Sequence, residues 1–136
     1  MVKIRFIHTA VILLGSFLHI SGESLTPDIE KAIETATLEG FRRVCDTAIA
    51  NDVDFVVISG DLYDREARSV KAQGFFVEEC RRLEEVNIDV LVIAGNHDPL
   101  REEQGLFNMP RNVKIFSGSQ PELYGVCDDL GNPVAR

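Results

Sequence analysis

At 136 residues the chain makes one domain at most, long enough to bury a core but short for an α/β enzyme. A hydrophobic share of 45 % and a charged share of 26 % are those of an ordinary soluble globular protein. A formal charge of −8 argues against a broad basic surface for nucleic acid, an objection that bound divalent cations would soften.

Residues 4–10 are expected to form the first strand. Lys3 and Arg5 ahead of Ala10, Val11, Ile12, Leu13 and Leu14 resemble the opening of a secretory signal. His8 and Thr9 interrupt that pattern, however, and no small-x-small cleavage site follows. The run is also too short and too broken to span a membrane. Residues 21–28 read as a loop, with Thr26 and Pro27 able to start a helix. The helix is expected from about residue 33 to residue 51, with Phe41, Cys45, Ala48 and Ile49 on one face and Gly40 weakening its middle.

Residues 54–59 form the second expected strand, apolar on both faces and so placed between covering layers. A second helix follows over about residues 69–86. Phe76, Cys80 and Leu83 form its apolar stripe, and Glu78, Glu79, Arg81 and Arg82 its wet side. Phe75 is assigned to core packing ahead of a dimer contact. Residues 88–94 are the third strand. The alternation of strand and helix predicts an α/β fold with a parallel sheet and two right-handed crossovers. Shorter strands are expected at residues 113–116, 123–126 and 133–136, the last two joined by a turn over residues 128–132. A strand ending at Arg136 would lack a neighbour and a core layer, so residues 1–136 are read as the N-terminal portion of one larger domain, with no second domain. Cys45, Cys80 and Cys127 have no paired spacing; they read as free thiols of a reducing, cytoplasmic compartment.

The chemistry lies at the strand ends. In open α/β sheets ligands bind outside the carboxyl ends of the strands. There the second strand runs into Gly60, Asp61, Leu62, Tyr63, Asp64 and Arg65, and the third into Gly95, Asn96, His97 and Asp98. Asp61 offers a carboxylate able to bridge hard divalent ions, and Asn96 a neutral oxygen donor. His97 could give a proton to a leaving oxygen or steady phosphate charge, with Asp64 orienting its ring. Either segment alone is an ordinary turn or self-capped loop. Together, at one end of neighbouring strands, they point to metal-centred phosphate ester chemistry.

These two segments, with His8, Thr9 and Ala10 and with Leu14, Gly15 and Ser16, resemble the motifs of the calcineurin-like metallophosphoesterases, and more closely those of the SbcD-type DNA repair exonucleases. The resemblance runs over essentially the whole chain. It implies a four-layer α-β-β-α sandwich holding two divalent ions, often manganese, that hydrolyses phosphodiesters. It further implies that Asp61 bridges the metals, Asn96 binds one of them, His97 is the catalytic histidine and Asp64 its partner. Arg65 is weaker as a phosphate contact and reads as a solvated arginine. DNA is the implied substrate, with an SMC-like ATPase and a second copy of the chain as partners. The implied cellular role is DNA repair.

Two departures qualify that likeness. The family's first motif is Asp-x-His, and here its frame holds Val11, Ile12 and Leu13, none of which can bind a metal. His8 lies too early to substitute and is expected to be a satisfied core histidine, while His19 falls in a loop with a solvent-exposed role. The family's later histidine ligands have no counterpart, because no histidine follows His97. The chain is therefore expected to hold Mn²⁺ weakly and to lack substantial nuclease activity. Competing expectations are a non-catalytic member of the same fold that binds DNA or a partner, a phosphatase acting on small phosphoesters, and an altered sequence at positions 11–13.

Overall fold

The computed structural model describes residues 3–10, 12–15, 26–63, 70–93, 109–116, 120–127 and 130–135. The expectations for Val11, His19, Asp64, Arg65, Asn96, His97 and Asp98 fall outside them. Runs of β-branched and aromatic residues, which favour the pleated backbone, form β1 (Phe6–Ala10), β2 (Phe55–Ser59), β3 (Asp89–Ile93) and β4 (Val113–Phe116). They lie side by side in that order, all parallel. The long helices α1 (Pro27–Ala50) and α2 (Val70–Glu84) make the first two crossovers. Because both crossovers step in the same direction across the sheet, right-handedness puts both helices on the same face.

That face is the core. Leu38, Phe41, Cys45 and Ala48 of α1 and Ala72, Phe76, Cys80 and Leu83 of α2 close over Val56, Ile58, Val90 and Val92. The rings of Phe41 and Phe76 stack at 5.4 Å between centroids where the helices meet. The stripes read from sequence are thus the buried ones, and Phe75 packs against the core as expected, with the Arg42 guanidinium 5.1 Å above its ring. Glu79 is a correction. Expected on the wet side, it is buried because it faces α1, whose Arg42 lies 3.6 Å away, while Arg82 of its own helix donates to it at 2.6 Å. Arg82 also donates to Asp46 across the helices at 2.6 Å, an interaction that raises its already high pKa.

The helix ends fix where the following strands begin. Helix α1 begins several residues ahead of the periodic pattern, since Thr26 caps it by accepting from the Ile29 amide, Pro27 suits the first turn, and Asp28 and Glu30 complement the dipole. Both helices stop on a left-handed residue, Asp52 at φ 49° and Asn87 at φ 60°. In each case a six-to-one bond closes the end, Val53 N–H to Ala48 O at 3.3 Å and Ile88 N–H to Leu83 O at 2.9 Å. Buried Asn112 then ties α2 to the sheet by donating to Cys80 O and Ile88 O at 2.9 and 2.8 Å.

The opposite sheet face carries no helix among the described residues, and Phe55, Val57 and Ser59 of β2 are half-buried on it. Strand residues alternate between faces. Ile7 and Thr9 therefore point to the helices, while Phe6, His8 and Ala10 point away with Phe55, Val57 and Ser59 of β2. Phe6 is 56 % exposed and Ile93 43 %. The Tyr124 ring covers part of this face, edge-on to Phe55 at 6.4 Å, and its hydroxyl donates to Asp89. Burial and then that carboxylate push the phenol above its usual range. Beyond it, β5 (Val126–Cys127) and β6 (Pro133–Ala135) pair antiparallel. The strand expected over residues 123–126 begins only at Val126.

All three cysteines are free. Burial pushes the Cys45 thiol up to about 12 and Cys80 well above its ordinary value, whereas Cys127 is exposed. Because the thiolate is the reacting form, a disulfide reagent at pH 8 should modify one thiol of the folded chain rapidly and the other two only after denaturation. Mass mapping that finds Cys45 or Cys80 among the fast sites would contradict this packing.

Candidate functional site

The site is built where β1 and β2 end. Gly60 follows β2 at φ 96°, a backbone conformation that side chains with a Cβ rarely adopt. Its amide donates to Ile93 O of β3 at 3.2 Å, so the turn carrying Asp61 is pinned to the neighbouring strand. On the other side the chain leaving β1 runs alongside. Leu13 N–H donates to Asp61 O at 3.2 Å and Leu14 N–H to Leu62 O at 2.8 Å, and Leu14 and Tyr63 form a parallel bridge. Leu14, Leu62 and Tyr63 are all buried, and the Tyr63 ring meets Phe76 edge-on at 6.3 Å. Asp61 is thus half-buried on a turn whose backbone is held from both flanks, with apolar anchors immediately behind it.

His8 is a second correction. It is exposed rather than buried, because the sheet alternation turns it to the face without helices. There its Nε2 lies 2.6 Å from Ser59 Oγ, linking the ends of β1 and β2 just before Gly60. Ser59 carried no expectation from the sequence. The signal was present in the register, since His8 and Ser59 each lie an even number of residues from a neighbour on the same face, Phe6 and Phe55 respectively.

Of the four residues expected to carry chemistry, Asp61 lies in the described structure at the predicted strand end, and Asp64, Asn96 and His97 lie outside the described residues. Ser59 and Ile93 are register partners, so β2 and β3 deliver the chain at the same edge of the sheet. Leu13, at the expected ligand position, is half-buried beside Asp61 and offers no donor atom. Among the described residues no three histidine, cysteine or acidic side chains come together to hold a metal. The described residues therefore do not make a two-metal centre. A shallow hollow between the end of β1 and α1, lined by Thr9, Ile12, Thr37, Gly40, Phe41 and Val44, carries no titratable group.

The Calcineurin-like phosphoesterase family model matches residues 8–133. Among curated proteins the chain is similar to the uncharacterized metallophosphoesterase YhaO of Bacillus subtilis, 42 % identical over 120 residues that cover 88 % of this chain and 29 % of the relative. It is similar to a subunit of the nuclease SbcCD from Staphylococcus epidermidis, 33 % identical over 131 residues, covering 96 % of this chain and 31 % of that protein. The DNA double-strand break repair protein Mre11 of Haloferax volcanii is 41 % identical over 90 residues, 65 % of this chain and 20 % of that one. The chain thus spans less than a third of the length of each of these relatives.

Proposed function

The chain belongs to the calcineurin-like phosphoesterase family, and from that premise we propose that it is the N-terminal portion of a metal-dependent phosphodiester hydrolase domain that acts on DNA in repair, with a site weakened at Val11 and Leu13. Calcineurin-like phosphoesterases are hydrolases of phosphoesters that use divalent metals; manganese, the DNA substrate and the repair role are the proposed refinements. The observation that carries the reading is Asp61, set on the Gly60 turn at the carboxyl edge of a parallel sheet and pinned to both neighbouring segments. In this reading Asp61 and Asn96 are the retained metal donors, His97 supplies a proton to the leaving oxygen, and Asp64 holds the imidazole. Two oxygen donors leave most coordination positions of a pair of divalent ions to water, so binding to this chain is weak.

The likeness to the SbcCD nuclease and to the Mre11 proteins supports DNA as the substrate class. An SMC-like ATPase and a second copy of the chain are the partners this reading carries. No helix among the described residues is long and apolar enough to cross a membrane, and the free cysteines support a reducing, cytoplasmic setting. A non-catalytic member that binds DNA or a partner is the second reading, favoured by the apolar Leu13 beside Asp61.

A chimaera separates them. Residues 1–136 replace the matching segment of the Staphylococcus epidermidis nuclease, once unchanged and once with Val11→Asp and Leu13→His. The unchanged chimaera should leave DNA ends intact with Mn²⁺, and the restored one should degrade them. A restored chimaera that folds, yet ignores both Mn²⁺ and single- and double-stranded ends, removes the enzyme reading. Cleavage of small phosphoesters without cleavage of DNA would replace the nuclease with a phosphatase.

A further inference from the structure

Among the described residues three that are not glycine adopt a left-handed backbone: Asp52, Asn87 and Leu13 at φ 47°. Aspartate and asparagine suit that region because their short polar side chains bond locally, and both sit where a helix hands over to a strand. A leucine has no such compensation, and its Cβ meets the following carbonyl oxygen. Nor does the conformation come from a free loop. Leu13 N–H is bonded to Asp61 O and Leu14 N–H to Leu62 O, and the fully buried Leu14 anchors the segment in the core, with Ile12 packed against it on the other side. Core packing at Ile12 and Leu14 and the ladder to Asp61 over-determine the backbone between them, which is the circumstance in which a strained conformation persists.

We propose that position 13 is a built-in left-handed turn that sets the backbone of Asp61, and that Leu13 is held in it against its own preference. The turn's bearing on the site rests on the phosphoesterase reading; the turn itself does not. Leu13→Gly and Leu13→Ala both remove the leucine side chain and differ only in the Cβ. At an ordinary loop position alanine is the more stabilising of the two, because glycine leaves the unfolded chain freer. At a left-handed position the order inverts. The glycine variant should melt about 2–6 °C above the alanine variant, and Leu13→Asn should restore most of the difference. Hydrogen exchange at the Leu14 amide should be slower in the glycine and asparagine variants than in the alanine variant. An alanine variant that melts at or above the glycine variant overturns the proposal. Since melting order and exchange involve no metal, that failure would leave the phosphoesterase reading untouched, and failure of Mn²⁺ to act near Asp61 would leave the turn untouched.

Discussion

Phe76→Ala should lower the unfolding free energy by about 3–5 kcal/mol, a large part of the total for a domain of this size. Phe76 is fully buried, stacked on Phe41 at 5.4 Å and edge-on to Tyr63 at 6.3 Å. Its ring thereby joins the α1–α2 contact to the segment following Asp61. Truncation loses the transfer free energy of the ring and leaves a cavity whose walls are two helices and a sheet, elements that collapse poorly. Urea unfolding followed by circular dichroism measures the loss. As a control, Ile93→Ala, at a position 43 % exposed, should cost far less. Equal losses at the two positions would mean that the helix-covered face is not the principal core.

Restoring donors at the first-motif positions should act in the other direction, on metal. Val11→Asp with Leu13→His should raise Mn²⁺ affinity at least about tenfold, equivalent to about 1.4 kcal/mol. The aspartate adds a hard oxygen donor and the histidine a nitrogen donor suited to transition metals. Position 13 is well placed for this. Its amide is already bonded to Asp61 O, and its left-handed backbone is one that histidine adopts more readily than leucine. Calorimetric titration of the unchanged and doubly substituted chains reads the difference. An affinity that does not move, in a variant with an unchanged melting temperature, would mean that positions 11 and 13 do not face the metal donors.

The parallel sheet and its two crossovers were legible because periodicity switches cleanly. The apolar runs ending at Ser59 and Ile93 are short and β-branched, and between them Phe76, Cys80 and Leu83 repeat at helical spacing. The position of Asp61 was legible for the same reason, since the apolar run ending at Ser59 puts Gly60 and Asp61 at the carboxyl end of a parallel strand, the edge where open α/β sheets bind ligands. His8 and Glu79 were not, because each depends on which neighbour covers a face. A histidine next to apolar residues reads as buried until the topology places both helices on the other side of the sheet. A glutamate next to charged residues reads as wet until Arg42 and Arg82 converge on it from two helices. The strained backbone at Leu13 had no sequence signal, since leucine is not a residue from which a left-handed turn is inferred.

The central claim is that the retained phosphoesterase donors lie around Asp61 at the carboxyl edge of the sheet. With a formal charge of −8 the chain offers Mn²⁺ many other carboxylates, so the location of binding matters more than its strength. Paramagnetic broadening of amide signals, followed residue by residue as Mn²⁺ is added to the isotopically labelled chain, measures that location. Broadening should spread first from Gly60, Asp61 and Leu62, together with Asn96 and His97, and Asp61→Asn should abolish it there. Broadening that begins instead at the acidic helix surface around Glu39 and Asp46, and is indifferent to Asp61→Asn, would contradict the account.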